Sequence, residues 1–244
     1  YFETLFSVCK TDPARIPVIC VDGPTASGKG TLSAEVAAKL GYHLLDSGAL
    51  YRLVGLAAER AGLSTTEASL REPAQAQRLG ALAAGLQVRF TGQHMLLNGE
   101  DVTEAVRTEA AGMAASRVSA VPEVRAALLA LQHGFRQLPG LVADGRDMGT
   151  VIFPDAALKV YLTATAAQRA ERRHKQLISK GITASIADLL ADLEMRDLRD
   201  STRTHAPLKP AADALLLDNS QLNVEQSVQQ VLSWWQGKTV FSGD

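Results

Sequence analysis

The stretch Gly23-Pro-Thr-Ala-Ser-Gly-Lys-Gly-Thr31 is the feature that most constrains the fold of this chain. A short apolar run, Val18-Ile-Cys-Val21, precedes it and apolar residues at helical spacing follow, so the predicted order is strand, glycine loop, helix. Four residues separate Gly23 from Gly28 and Lys29 follows at once, which is the spacing of a phosphate-binding loop. Its backbone N–H groups and the positive end of the following helix favour phosphate oxygens.

This loop predicts an ATP site with magnesium. Lys29 is expected to reach the β- and γ-phosphates, and the Thr31 hydroxyl to bind Mg²⁺. The general motif has Ser or Thr directly after Lys, whereas Gly30 stands here, a variant typical of small-molecule kinases that phosphorylate nucleotides. The alternative is an ordinary glycine turn, which the spacing and the Lys disfavour. The residues predicted to bind ATP are Gly23, Pro24, Thr25, Ala26, Ser27, Gly28, Lys29, Gly30 and Thr31.

Composition narrows the classes of partner. The 244 residues, enough for one sizeable core, carry 25 Lys and Arg against 26 Asp and Glu, so the net charge is −1. This balance argues against a general nucleic-acid or membrane-surface binder. No apolar run approaches the roughly 20 residues of a membrane span, and no secretory signal is visible. The two cysteines, Cys9 and Cys20, suit a reduced thiol in a cytoplasmic protein.

Apolar segments alternate with helical ones, which predicts an α/β fold with a parallel sheet covered by helices on both faces. A period-two pattern with a turn at 91–93 interrupts this order and predicts a small antiparallel β insert over residues 86–102. Ser47 is expected to cap the helix after the second strand. The predicted strands are 18–21, 42–46, 141–143, 158–162 and 215–217.

A second chemical motif, Asp144-Gly-Arg-Asp147, directly follows an apolar strand, where α/β sheets place ligand groups. Asp144 is expected to orient Mg²⁺ through water, and Arg146 to contact phosphate with two N–H groups. Arg52, beside the Asp46-Ser47-Gly48 corner, is a further phosphate candidate. The alternatives are an incidental Asp-Gly turn and a surface arginine.

The helix from Ile186 predicts a cleft. Its inward stripe, Ile186, Leu189, Leu190 and Leu193, continues at the same spacing into Arg196, Asp197, Asp200 and Arg203. A core does not accept unpaired charge, whereas a cleft that holds a polyanion does. A solvated, salt-bridged helix end is the alternative, and the neighbouring phosphate loop favours the cleft.

Together these stretches resemble the bacterial cytidylate kinases, P-loop nucleoside monophosphate kinases acting on CMP and dCMP. The resemblance spans residues 17 to about 235 and implies a P-loop NTPase fold with five parallel strands, a β insert in the monophosphate-binding region and a helical lid. The matching stretches are residues 22–31, 44–49 with Tyr51 and Arg52, 144–150 with 153–155, and Arg196 and Asp197 with Arg199 and Asp200.

The resemblance also implies residue roles. Ser116, Arg125 and Asp147 would read the cytosine edge. Arg52, Arg146 and Arg203 would hold the acceptor phosphate. Arg196 and Asp200 would contact the ribose, with Ser47 close to the nucleoside, while Arg172 and Arg173 in the lid would stabilise charge. Lys29, Asp144, Arg146, Arg172 and Arg173 form the predicted catalytic set.

The expected organisation is a leader, residues 1–15, before a single kinase domain, residues 16–240. Residues 1–8 resemble the end of 3-phosphoshikimate 1-carboxyvinyltransferase, which some bacteria fuse to a nucleotide kinase; a cloning remnant or disordered leader is the alternative. The predicted divisions are a core of 16–60, 138–168 and 207–240, a monophosphate-binding region of about 61–137, and a lid of about 169–185.

The resulting hypothesis is ATP-dependent phosphorylation of CMP and dCMP by a monomer that binds neither nucleic acid nor membranes. UMP, AMP or shikimate as acceptor is the alternative among kinases. A regulatory P-loop ATPase is the alternative of another class, and turnover without a small acceptor would favour it.

Overall fold

The structure is a computed structural model that describes residues 15–91, 94–179 and 181–240. Strands form where short apolar runs end in polar residues. Their bounds are β1 Val18–Asp22, β2 His43–Asp46, β3 Val88–Thr91, β4 His94–Leu97, β5 Glu100–Asp101, β6 Leu141–Gly145, β7 Leu158–Thr163 and β8 Leu215–Asp218.

Helices separate the strands of the main sheet, and one π-helical turn, Met148–Ile152, follows β6. Their bounds are α1 Lys29–Leu40, α2 Ser47–Arg60, α3 Glu67–Leu70, α4 Pro73–Ala84, α5 Thr103–Val106, α6 Glu109–Val118, α7 Pro122–Gly134, α8 Ala166–Ile178, α9 Ile186–Thr202 and α10 Val224–Val240.

The main sheet has five parallel strands in the order β2-β6-β1-β7-β8. Register brings Asp22 at the end of β1 opposite Gly145 at the end of β6. The predicted parallel sheet and its five strands are confirmed. Because all strands run in one direction, their carboxyl ends meet at one edge, where the sequence places its polar motifs.

Both faces of the sheet are covered. Val18 and Cys20 of β1 pack into a core with α2, α4, α6 and α7, whereas Ile19 and Val21 pack on the other face against α1 and α10. This alternation follows from the two-residue period of a strand. None of the helices in the described part of the chain combines the length and apolar character that crossing a bilayer requires.

The β insert is confirmed, and it has one strand more than predicted. β3 pairs with β4, and β4 pairs with the short β5, so the hairpin is a three-stranded antiparallel sheet. Residues 92 and 93 of the predicted turn lie outside the described residues, as does the leader up to residue 14 with its resemblance to another enzyme. The division into core, monophosphate-binding region and lid stays a prediction.

Candidate active site

Polar residues gather at the carboxyl edge of the main sheet. Asp22 ends β1, Asp46 ends β2, Asp144 lies near the end of β6, and Asn219 directly follows β8. Two cavities open at this edge. The phosphate loop contributes residues to both of them.

The phosphate loop adopts a backbone that glycine permits. A Cβ on Gly23 would lie 2.2 Å from the Leu162 carbonyl oxygen, so no other residue fits against β7. Gly28 precedes α1 with a φ of 94° in the left-handed region. Ala26 has a φ of 58°, a conformation that costs an L-residue roughly 1–2 kcal/mol. The backbone of this loop therefore depends on its glycines at positions 23 and 28.

Lys29 begins α1 and is buried at the centre of the edge. Its Nζ donates a hydrogen bond to the Pro24 carbonyl oxygen at 2.8 Å. Burial lowers the pKa of Lys29, and the nearby Asp144 opposes this. Burial raises the pKa of Asp144, and Lys29 opposes that shift in turn. Each of these two buried groups therefore favours the charged form of the other.

The first cavity has a volume of about 480 Å³. We call it the donor cavity, because it lies at the expected ATP site. Thr31, Arg172, Arg173 and Asn219 line it. Arg172 donates to the Asn219 side-chain oxygen at 3.0 Å and to its carbonyl oxygen at 2.6 Å. The predicted lid arginine Arg172 is therefore fixed to the end of β8, beside the phosphate loop.

Arg173 follows Arg172 but makes a different contact. It forms an ion pair with Glu109 at the start of α6. This pair joins α8, which lines the donor cavity, to α6, which borders the second cavity. Glu109 also acts electrostatically on Arg52 and Arg196.

The second cavity has a volume of about 150 Å³. We call it the acceptor cavity, because Arg52 and Arg146, which are expected to hold the acceptor phosphate, line it. Four cations line it together with two carboxylates and the hydroxyl of Ser116. These charged residues are Lys29, Arg52, Arg146, Arg196, Asp46 and Asp144. Such a concentration of positive charge at the end of a sheet suits an anion with several oxygens.

Arg52 and Arg196 have no carboxylate within ion-pair distance among the described residues. Arg52 donates to the Val106 carbonyl oxygen at 2.8 Å, and Arg196 to the Gly112 carbonyl oxygen at 3.4 Å. Burial lowers the pKa of Arg52. Burial and the neighbouring Arg146 lower the pKa of Arg196 to about 10. A phosphate in this cavity would offset the cost of burying these two guanidinium groups and would reduce their repulsion from the neighbouring arginines.

A second cluster lies beyond the acceptor cavity. Arg125 pairs with Asp147 and also donates to the Tyr51 hydroxyl at 3.3 Å. Arg203 lies 3.7 Å from Asp147 and donates to Ser119 Oγ at 3.4 Å. The predicted base-reading residues Arg125 and Asp147 are thus brought together, whereas Arg203 does not line the cavity that Arg52 and Arg146 share.

Helix α9 carries the charged face that its spacing predicts. Leu189, Leu193, Arg196 and Asp200 are all buried. Asp200 pairs with Arg146 and accepts a hydrogen bond from Ser116 Oγ at 3.5 Å. The prediction was wrong for Ile186, which is 46% exposed because it is the first residue of the helix.

Asp22 positions the chain that carries Asp147. Its two carboxylate oxygens accept hydrogen bonds from the backbone N–H groups of Met148 and Gly149, each at 2.8 Å. Burial raises the pKa of Asp22 to about 6, and these two bonds oppose the shift. The carboxylate thereby holds the π-helical turn against β1.

The predicted cap at Ser47 was wrong by one residue. Asp46 is the N-cap of α2, and its carboxylate accepts a hydrogen bond from the Ala49 N–H at 3.0 Å. A carboxylate caps a helix as well as a hydroxyl does. Ser47 is buried instead, with its Oγ 2.7 Å from the position that a Cβ on Gly145 would occupy.

Sequence reasoning missed five residues of the site: Asp22, Tyr51, Glu109, Ser119 and Asn219. Position was an available signal for Asp22 and Asn219, because each stands at the carboxyl end of a strand. Glu109 and Ser119 join the site only through tertiary packing, and no local pattern marks them.

The surroundings of Asp144 fit a magnesium ion that takes one ligand from the protein and the others from phosphate and water. A Cβ on Gly30 would lie 3.5 Å from Asp144 Oδ2, so the absence of a side chain leaves room beside this carboxylate. The described residues contain no group of three His, Cys, Asp or Glu side chains that could hold a metal by themselves. One carboxylate combined with phosphate oxygens and water is the usual arrangement for Mg²⁺.

Comparison with known proteins gives the family. The family model described as cytidylate kinase matches residues 19–236. A cytidylate kinase of Polynucleobacter asymbioticus is 56% identical over 223 residues, covering 91% of this chain and 98% of that protein. Cytidylate kinases of Cupriavidus necator and Burkholderia mallei are 57% and 58% identical, each covering 90% of this chain and 96% and 92% of those proteins. This chain therefore belongs to the cytidylate kinase family.

Proposed function

We propose that this chain transfers the γ-phosphate of ATP to CMP or dCMP and forms ADP with CDP or dCDP. The observation that carries the proposal is the identity of 56–58% to cytidylate kinases over about nine-tenths of the chain. The site supports it, because one phosphate loop contributes to a donor cavity and to an arginine-lined acceptor cavity.

Catalysis rests on positioning and on charge. The acceptor phosphate is already anionic, so it attacks the γ-phosphate in line without a dedicated general base. Lys29 stabilises the charge that spreads over the transferred group, together with Arg172 and with Arg173 once it leaves Glu109. Mg²⁺ bound with ATP would neutralise phosphate charge, with Asp144 holding it through water and the Thr31 hydroxyl as a further ligand.

We assign the acceptor phosphate to Arg52, Arg146 and Arg196. All three line the acceptor cavity, and Arg52 and Arg196 lack a carboxylate partner among the described side chains. Arg203, which sequence reasoning placed with the phosphate, lies with the Asp147 cluster and supports base reading instead. Asp200 contacts the ribose when Arg146 turns towards the phosphate, and Ser47 lies beside the nucleoside.

Selection of cytosine rests on Asp147, Ser116 and Arg125. Cytosine presents an amino donor where uracil presents a carbonyl acceptor, so the buried carboxylate of Asp147 favours cytosine. A buried acceptor left without a donor costs about 1–3 kcal/mol, which opposes UMP. Activity as a monomer and a location in the cytoplasm stay predictions.

The test is a coupled ADP-release assay with Mg-ATP across CMP, dCMP, UMP, AMP, GMP and shikimate. We expect activity with CMP and dCMP and little with the others. Strong activity with another acceptor would overturn the base-reading assignment and leave the phosphate loop in place. Turnover that needs no acceptor would replace the proposal with an ATPase.

A further inference from the structure

A third cavity, of about 500 Å³, lies apart from the donor and acceptor cavities. It is bordered by α3, by the junction between α6 and α7, and by the end of α9 with the residues that follow. We call it the arginine pocket after its basic lining, which comprises Arg71, Arg117, Arg199, Arg203 and His205.

Positive charge in the arginine pocket exceeds the negative charge that faces it. Glu67 is the one carboxylate of its lining, and it pairs with Arg199 at 2.9 Å. Arg117 donates from Nε to the Thr65 carbonyl oxygen at 2.7 Å, and neither Arg117 nor Arg71 forms an ion pair with a described residue. Unpaired guanidinium groups around a concave surface attract oxyanions.

Arg203 adds a buried donor. Its side chain is 5% exposed, and its Nη2 lies 3.7 Å from Asp147 Oδ1, which is within ion-pair distance. This contact is longer than a hydrogen bond, so Asp147 holds Arg203 by charge and not by a short N–H···O bond. Arg203 therefore links the lining of the arginine pocket to Asp147.

Apolar side chains form one wall of the arginine pocket. Leu70, Val121 and Pro122 contribute it, and the volume is close to the 480 Å³ of the donor cavity. Small-molecule sites combine such walls with a few convergent polar groups. We propose that the arginine pocket binds a small phosphate-bearing metabolite, with its phosphates on Arg71, Arg117 and Arg203 and its apolar part on this wall.

Two contacts connect the arginine pocket to Ser116 and Asp147, the residues proposed to recognise cytosine. Arg199 donates from Nη1 to Ser116 Oγ at 3.2 Å, and Arg203 lies beside Asp147. A phosphate in the arginine pocket competes with Ser116 and Asp147 for these two guanidinium groups. Its binding therefore weakens the binding of CMP, a consequence that rests on the proposed function.

Histidine NMR tests the site without measuring activity. The chain contains five histidines, and His205 is the one that lines the arginine pocket. Inorganic pyrophosphate is titrated into the full chain labelled at histidine, with CMP and ADP saturating the two nucleotide cavities. His174 on α8, the helix that lines the donor cavity with Arg172 and Arg173, reports on binding there.

We expect a saturable shift of His205 that is lost in the double variant R71A/R117A and kept in R78A/R89A, which removes two exposed arginines elsewhere. The melting temperature of each variant checks its fold. No shift of His205, or a shift that survives in a folded R71A/R117A chain, would overturn the proposal. A shift of His174 alone would place pyrophosphate at the donor cavity and would also overturn it.

Kinetics test the connection separately. Pyrophosphate is expected to raise KM for CMP about fivefold in the wild type, within the usual range of allosteric coupling, and to do so much less in R71A/R117A. Direct competition in the acceptor cavity would raise KM equally in both proteins. That result would contradict the connection even if the NMR shift supports the site.

Discussion

At the scale of single residues, the charge of the site depends on which of its arginines form an ion pair with a carboxylate. Arg125 is paired with Asp147 and Arg146 with Asp200, and all four side chains are largely buried. Removing one member of a buried pair costs about 3–5 kcal/mol, because it leaves an uncompensated charge. Isosteric amides are therefore the appropriate variants for testing these acids.

The first prediction concerns Asp147→Asn. The amide keeps one acceptor oxygen and adds a donor, so it favours the carbonyl of uracil over the amino group of cytosine. We expect kcat/KM for CMP to fall about 10- to 100-fold, as for loss of one charged hydrogen bond, with the KM for ATP within about twofold. Steady-state assays with CMP and UMP measure this. Equal losses for both acceptors would remove Asp147 from base reading.

The second prediction concerns pH and Asp144. Burial raises its pKa from 3.8 to about 7, against the opposing effect of Lys29. Between these values the native chain holds a proton that the unfolded chain lacks, so this group's contribution to stability is lost as pH rises. Without nucleotides, Asp144→Asn should therefore already melt above the wild type at pH 5.5, and the difference in melting temperature should widen by about 2 °C or more at pH 8.

The same titration should appear in activity. Ionised Asp144 is the form that supports Lys29 and a magnesium-bound water, so kcat/KM should decline as pH falls below about 7. The Asn variant should be slower and lack this acidic decline. Parallel pH profiles for wild type and variant would assign the decline to another group.

At the scale of elements, α6 and α8 are joined across the site by Glu109 and Arg173. In the third prediction, Glu109→Gln frees Arg173 and removes negative potential beside Arg52 and Arg196. A partly exposed pair contributes about 0.2–1 kcal/mol, so KM for CMP should fall up to about fivefold. Glu104→Gln, which alters an exposed carboxylate paired with Arg107, is the matched control. An unchanged or higher KM in Glu109→Gln contradicts a competing role for this carboxylate.

Elements were predictable where one local pattern determines them. The phosphate loop follows from the spacing of its residues and the five strands from short apolar runs. The charged face of α9 follows from helical spacing taken together with the neighbouring phosphate loop. The third strand of the insert was missed because Glu100–Asp101 is only two residues long. The position of Arg203 beside Asp147 and Ser119 was not predicted, because it depends on how the chain continues after α9, which no repeat in the sequence encodes.

At the scale of the whole molecule, the described core begins close to the start of the predicted kinase domain. The strand that organises the sheet begins at Val18, and the first residue that packs into the described core is Ile16. In the fourth prediction, a chain that starts at residue 15 keeps kcat/KM for CMP within about twofold and its melting temperature within about 2 °C. Loss of activity or a lower melting temperature would assign residues 1–14 a role in the kinase.

The ion pairs of Arg125 and Arg146 affect the nucleotide-free state of the protein. Their carboxylates already neutralise two guanidinium groups, so part of the positive charge of the cleft is balanced before a nucleotide binds. For Arg146, binding of the phosphate is then an exchange of one anionic partner, Asp200, for another. Unphosphorylated cytidine offers no dianion for that exchange, so the free nucleoside should be a poor ligand even though its base matches. Discrimination against the precursor is thus a property of the resting protein.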